Sequence, residues 1–250
     1  MPSIDLRAVR FCYKNARQKT EALHGVDLSI ADGEFVCVIG QSGCGKSTLL
    51  RLLAGLDMPD GGEISIGGQP VEGPGADRMI VFQDYALFPW LTAEKNISFA
   101  LSRAKRVPRA EAKRTAAEYL QKVGMSKAAD YYPCQLSGGM KQRVAIARAL
   151  AMDTDILLLD EPFGALDAKI RASLQELLLA LWTNDGGKKK TVVFVTHDIN
   201  EALILADRIV YMQPGKIAGE LRIDIPRPRR NVESSEEFGA YRRTLMRLFE

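Results

Sequence analysis

The 250-residue chain has little of what would mark a function by composition alone. Its four cysteines (Cys12, Cys37, Cys44 and Cys134) form no CxxC pair, and only two histidines, His24 and His197, accompany them. Zinc sites and disulfide frameworks therefore have no support. Charge of one sign is missing too: 34 Lys+Arg face 31 Asp+Glu, a net +3, with the two signs interspersed. That gives no ground for a nucleic-acid partner. No stretch of about 18 residues is free of charge, so no membrane span is expected; the most apolar runs are short, and one of them, Ile156–Leu159, ends in two acids. The opening residues carry an early Asp5 and no apolar segment, unlike a secretory signal. What remains is 46% hydrophobic and 26% charged, an ordinary globular profile. A chain of this size buries roughly three quarters of its unfolded surface. Composition describes a soluble, intracellular chain and names no activity.

Hydrophobic patterning gives the organisation. Short β-branched or alternating runs at Ile4–Val9, Val26–Ile30, Phe35–Ile39, Glu63–Ile66 and Met79–Phe82 predict strands. A helix is expected over Lys46–Ala54, closed by Gly55. From Thr92 to Met125 the pattern turns helical, clearest over Arg109–Val123. After Ile156, strands (Ile156–Leu159, Val192–Thr196, Ile209–Met212) alternate with helices (Ile170–Trp182, Ile199–Ala206). Such alternation predicts a parallel sheet, so the chain reads as an α/β domain interrupted by a helical insertion. The segment after Pro226, with its Pro-Arg-rich run to Arg230 and a charged amphipathic end, reads as an appendage.

The sharpest feature is Gly40-Gln41-Ser42-Gly43-Cys44-Gly45-Lys46-Ser47, which fits GxxxxGK[ST] without mismatch and sits between a predicted strand and a predicted helix. The glycines let the backbone curl so that several N–H groups converge on phosphate oxygens, and the helix start adds a favourable dipole. Lys46 is then placed to reach the terminal phosphates and Ser47 to ligate Mg²⁺. This pattern predicts binding of a nucleoside triphosphate. Ile156–Leu159 ends in Asp160 and Glu161 at the carboxyl edge of the same predicted sheet, where ligands of open α/β sheets lie. Asp160 suits the metal, and Glu161 suits orienting or deprotonating an attacking water. A small-molecule kinase would share these residues. The difference lies in Leu136-Ser137-Gly138-Gly139-Met140, a turn that opens a further helix and offers a second anion site at its N-terminus. One phosphate loop has no use for two such sites; two chains placed head-to-tail would.

With these residues in hand, the sequence resembles the ATP-binding cassette ATPases from about Ile4 to about Ile225. Gly40–Thr48 and Leu136–Met140 resemble that family's Walker A and signature motifs, and Ile156–Glu161 its Walker B strand with the catalytic glutamate. Gln83 is similar to the glutamine loop, Gly164-Ala165-Leu166-Asp167 to the D-loop, and His197 to the switch histidine. Tyr13 matches the aromatic that stacks on adenine. The resemblance implies a RecA-like P-loop core (residues 1–86 and 150–225) with an antiparallel β subdomain and a helical subdomain at about 87–149, followed by an extension, 226–250. It implies catalytic roles for Glu161, His197 and Gln83, and ATP contacts from Tyr13, Gly40, Gln41, Ser42, Gly43, Cys44, Gly45, Lys46, Ser47 and Thr48. Ser137, Gly138 and Gly139 would contact the partner's nucleotide, and Ser47, Gln83 and Asp160 would hold Mg²⁺. Two departures stand out: Met140 where Gln is commonest, and Gly164 where Ser is usual.

Within the family, a translation factor would need two cassettes and a chromosome-maintenance ATPase a long coiled coil before the signature; neither is present. A transport subunit is left. Tyr85–Thr92, with Trp90 at its centre, would lie where a membrane permease docks, and the Leu87-Phe88-Pro89-Trp90 pattern resembles importer ATPases for nitrate, sulfonate and taurine, with thiamine-precursor importers as the alternative. The resemblance implies MgATP as cofactor and substrate, a homodimer, permease subunits, a solute-binding protein acting indirectly, and a peripheral place on the cytoplasmic face of a bacterial inner membrane.

Overall fold

The computed structural model describes residues 2–15, 18–183, 189–229 and 232–249. Arg230, the last residue of the Pro-Arg-rich run, and the chain ends Met1 and Glu250 lie outside them. In chain order the elements are β1 (Ile4–Asn15), β2 (Gln18–Ile30), β3 (Phe35–Gly40), α1 (Lys46–Leu53), β4 (Gly61–Ile66), β5 (Gln69–Pro70), β6 (Arg78–Val81), α2 (Ala93–Ala104), α3 (Arg109–Lys122), α4 (Gly138–Ala151), β7 (Ile156–Asp160), α5 (Ala168–Thr183), β8 (Thr191–Val195), α6 (Ile199–Leu205), β9 (Arg208–Gln213), β10 (Lys216–Arg222) and α7 (Glu236–Phe249).

The described strands form two sheets. One is antiparallel, in the order β2-β1-β4-β5; the other has six strands in the order β10-β9-β3-β8-β7-β6, parallel except for β10. The central parallel strands β3, β7 and β8 are buried along their whole length and largely apolar because both faces are covered. Even-numbered side chains of β3 and β7 (Val36, Val38, Ile156, Leu158) pack with α1 and the antiparallel sheet. Their odd-numbered neighbours (Phe35, Cys37, Ile39, Leu157, Leu159) pack with the helices on the other face. One strand run thus builds two cores. Arg208 ties the sheets together, donating to both carboxylate oxygens of Glu34 at 2.8 Å, to Ser29 O at 2.7 Å and to Glu220 at 2.5 Å.

Several elements differ from their sequence expectation. β1 and β2 run well beyond Ile4–Val9 and Val26–Ile30. Ala8 adopts φ +48°, a bulge stabilised by its N–H donating to Asp27 Oδ1 at 2.8 Å. It switches the inward positions from Ile4 and Leu6 to Val9 and breaks the two-residue alternation. The Thr92–Met125 stretch is two helices, interrupted before Pro108, where proline fixes φ and cannot continue α2. β5 and β10 are additional edge strands. On β10, exposed and half-buried residues alternate without a strong apolar face.

The segment after Pro226 is no loose appendage. Phe238 and Leu245 of α7 are buried in the helix-side core. The Arg229 guanidinium is buried and donates to Leu203 O, Ala206 O, Ile223 O and Ile225 O at 2.6–3.1 Å. Burial lowers its pKa to about 10. Arg227 stacks on Trp182 at 4.6 Å from the ring centroid. Leu245→Ala should accordingly lower the unfolding free energy by about 2–5 kcal/mol in urea titration; an unchanged midpoint would mean that α7 is not part of the core.

Candidate functional site

The carboxyl ends of four neighbouring parallel strands build the site. Val38 of β3 is registered with Val195 of β8, Val195 with Asp160 of β7, and Leu159 of β7 with Val81 of β6. The residues that follow these strands, Gly40–Ser47, His197, Glu161 and Gln83, therefore emerge along one edge.

The glycine-rich loop has its composition for steric reasons. A Cβ on Gly40 would stand 2.3 Å from Met212 O; one on Gly45, at φ +111°, would stand 2.8 Å from Ala22 O. No side chain caps the first turn of α1, so its amides face the loop's concavity with no side-chain acceptor. Lys46 is buried and spans the loop, its ammonium donating to Gly40 O at 2.8 Å and Gln41 O at 2.9 Å, 3.9 Å from Cys44 Sγ. Gln41, Ser42, Gly43 and Ser47 are exposed. The Tyr13 hydroxyl lies 3.0 Å from Thr48 Oγ1, and its ring meets Phe11 edge-on at 5.0 Å, which leaves a half-open aromatic face beside the loop.

Across the edge, Ser47 hydrogen-bonds the Asp160 carboxylate. Burial raises the Asp160 pKa, with the Ser47 bond opposing the shift, and its Oδ1 has no partner among the described residues. Glu161 sits at φ +46°, its N–H donating to Val195 O at 3.0 Å. That strained turn aims the carboxylate at two other candidates: Oε2 lies 3.2 Å from His197 Nδ1 and accepts from Gln83 Nε2 at 3.5 Å. His197 is fixed from behind. The Asp198 N–H donates to Thr196 Oγ1 at 3.0 Å, and the Asp198 side chain caps α6. Buried Glu201 accepts from Gln175 at 3.1 Å and from the Thr196 hydroxyl; burial raises its pKa.

Ser137, Gly138 and Gly139 stand apart. Ser137 caps α4, accepting from the Met140 N–H at 3.3 Å, and Ser137 and Gly138 are exposed. The atoms nearest a Cβ on Gly138 or Gly139 belong to Tyr85, Ala165 and Leu166, and none to the phosphate loop. The geometry joins Gly40–Thr48, Asp160, Glu161, Gln83 and His197 and leaves the Ser-Gly-Gly turn facing outward.

Comparison with known proteins decides the family. Residues 23–164 match the ABC transporter family model. This chain belongs to the ABC transporter family. It is 53% identical over 216 residues to the bicarbonate transport ATP-binding protein CmpC of Synechococcus elongatus, covering 85% of this chain but 32% of that protein. The chain thus spans about a third of that relative's length. It is 47% identical over 249 residues to the taurine import ATP-binding protein TauB of Chromobacterium violaceum, covering 96% of this chain and 94% of the relative. The dimeric post-hydrolysis structure of the ATP-binding cassette MJ0796 bound to ADP and Pi superposes with a TM-score of 0.81 at 38% identity, covering 88% of this chain and 98% of that one. The cassette fold expected from the motifs is therefore shown. Among the described residues no helix is long and apolar enough to cross a membrane.

One residue of this cassette's site region escaped the sequence reading. Arg148, on α4, donates to Ala86 O at 2.8 Å and Tyr85 O at 3.4 Å, and Tyr85 reaches Gly138. A lone arginine in an alanine-rich helix carries no motif that would have found it.

The donor set also fits Mg²⁺ in a particular way. Among the described residues no three His, Cys, Asp or Glu side chains gather to cage a metal. A hydroxyl, an amide and one buried carboxylate with an unpartnered oxygen suit a hard cation that draws its other ligands from phosphates and water. Because the folded Asp160 pKa lies above its ordinary value, its contribution to stability is fully present below the ordinary carboxylate range and is lost as pH rises through the raised value. At neutral pH the buried charge costs stability. Asp160→Asn should raise the unfolding free energy at pH 7, read by urea titration, and flatten its dependence on acid pH. The same variant should lose Mg²⁺-dependent nucleotide affinity, measured by titration with and without the metal.

Proposed function

We propose that this cassette is the ATP-hydrolysing subunit of a membrane importer for a small anion of the nitrate, sulfonate or taurine kind. The observation that carries the reading is the divided site: the phosphate loop, Asp160, Glu161, Gln83 and His197 converge, while the exposed Ser137–Gly139 turn faces away from its own loop. A second copy, placed head-to-tail, would complete each site. The taurine-import relative, matched over nearly the full length of both chains, supports the cargo class.

The residues divide the work as follows. Amides of Gln41–Ser47 and the start of α1 take the phosphates, and the Lys46 ammonium exchanges its loop carbonyls for phosphate oxygens. Tyr13, held by Thr48, offers its ring to the base. Ser47, Asp160 and Gln83 would hold Mg²⁺, which when bound would supply charge neutralisation to the phosphates. Glu161 takes the proton of the attacking water; His197 holds the Glu161 carboxylate in position, and Gln83 orients the water. The partner's Ser-Gly-Gly turn supplies its hydroxyl and amides to the terminal phosphate. Hydrolysis removes that shared ligand and lets the copies separate.

Docking to the permease is assigned to the loop after Gln83. Trp90 is 70% exposed, with its ring 5.7 Å from Phe88, and Phe88 in turn meets the Phe99 ring edge-on at 5.5 Å. Such an apolar aromatic surface, on a chain whose described residues include no helix long and apolar enough to cross a membrane, suits a membrane-protein partner and peripheral attachment at the cytoplasmic face. The solute-binding protein would act only through that permease.

Glu161→Gln tests the reading, because it keeps the shape and removes the base. Turnover should fall at least about a hundredfold, and MgATP should convert the variant into a dimer in size-exclusion chromatography with light scattering. Parental turnover would refute the assignment. Cargo is read from a deletion strain assayed for uptake of labelled taurine, nitrate and bicarbonate. Loss of one identifies the class, and loss of none refutes it.

A further inference from the structure

Tyr85 and Ala86 follow Gln83 closely, and both adopt positive φ, +69° and +42°. Two successive non-glycine residues in that region are strained and persist only where the surroundings hold them. What holds them is Arg148. Its side chain is buried on α4, and it donates to Ala86 O at 2.8 Å and to Tyr85 O at 3.4 Å. No ion pair of Arg148 is found among the described residues, and burial lowers its pKa with no charge opposing the shift. Its compensation comes from carbonyl dipoles and from the Phe88 ring, 6.0 Å from the guanidinium. Phe88 in turn is pinned by Asn96 of α2, which accepts from its N–H at 2.8 Å and donates to its carbonyl at 3.2 Å.

The same helix touches the same loop a second time. A Cβ on Gly138 would lie 3.1 Å from the Tyr85 hydroxyl, so the tyrosine packs against the first turn of α4. Gly138 and Arg148 are separated along α4 by roughly 15 Å at 1.5 Å per residue. Two contacts that far apart on one rigid helix restrain both the position and the tilt of the loop. An apolar side chain at 148 would fill this space without burying a cation, but it would leave both strained carbonyls without their donor.

We propose that Arg148 is a positioning residue that locks the Tyr85–Ala86 turn to α4, so that Gln83 and the Ser137–Gly139 turn move as one body. The inference rests on the ATP site proposed above and adds a route by which a chain's own nucleotide sets the turn it presents to its partner. Coupling needs two states of one connected element, and the loop clamped to α4 supplies that element.

The test is amide hydrogen exchange on the full chain with and without MgATP. In the parent, nucleotide should change exchange both at Gln83–Ala86 and at Gly138–Lys141. In Arg148→Met, nucleotide affinity should stay within about threefold of the parent, the change at Gln83–Ala86 should remain, and the change at Gly138–Lys141 should vanish. Arg148→Lys, which keeps the charge but offers a single donor centre, should restore part of it. If Arg148→Met does not fold, Arg148→Lys and Tyr85→Phe are read in the same way, each reducing the distal change. Retention of the full change at Gly138–Lys141 in the folded variants overturns the proposal, as does its absence in a parent that binds MgATP. A parent that binds no MgATP refutes the ATP site itself, a separate outcome.

Discussion

The parallel pairing of β3, β8, β7 and β6 is the constraint on which the site depends. Each strand ends at the same edge, and the register of Val38, Val195 and Asp160 sets how far each following residue projects. β8 lies between the phosphate-loop strand and the acidic strand. Under the proposed function, that separation would place the terminal phosphate between Lys46 on one side and Asp160 and Glu161 on the other. Slipping β7 by one residue would turn Asp160 to the opposite face and break its bond to Ser47. The two cores keep this from happening, because alternate residues of the same strands are committed to opposite layers. Packing thus fixes the chemistry to within a side-chain rotation.

Polar groups inside this frame are held in tension. Asp160 is buried with one oxygen unpartnered, Lys46 is folded onto its own loop carbonyls, and Glu161, Tyr85 and Ala86 occupy strained backbone conformations. Unpartnered burial and left-handed backbone are each costly, and for Tyr85 and Ala86 the compensation comes from Arg148 within the chain. Under the proposed function, the unpartnered Asp160 oxygen and the Lys46 ammonium would be taken up by metal and phosphate when nucleotide binds.

Much of this was legible in the sequence because some residues answer to local chemistry. Gly40 and Gly45 have no room for a side chain, so the phosphate loop declares itself in a few positions. The apolar runs Ile156–Leu159 and Val192–Thr196 announce strands buried on both faces. Other features depend on distant partners and leave no local trace. The Ala8 bulge hides the true length of β1. Among its described side chains α7 buries Phe238 and Leu245, a sparse stripe that reads as a charged tail, although those two residues carry it into the core. Arg148 looks like any other basic residue of a helix until the loop it clamps is known.

One chain holds two half-sites, the loop side and the signature side, and they face different ways. The central claim is that neither half turns over ATP alone. The most direct measurement is the ATPase rate of the purified chain as its concentration is varied well below the dimerisation midpoint. A rate rising with the square of chain concentration is the expected result, since each productive site needs two chains. A rate strictly proportional to concentration, down to the lowest measurable level, would contradict it.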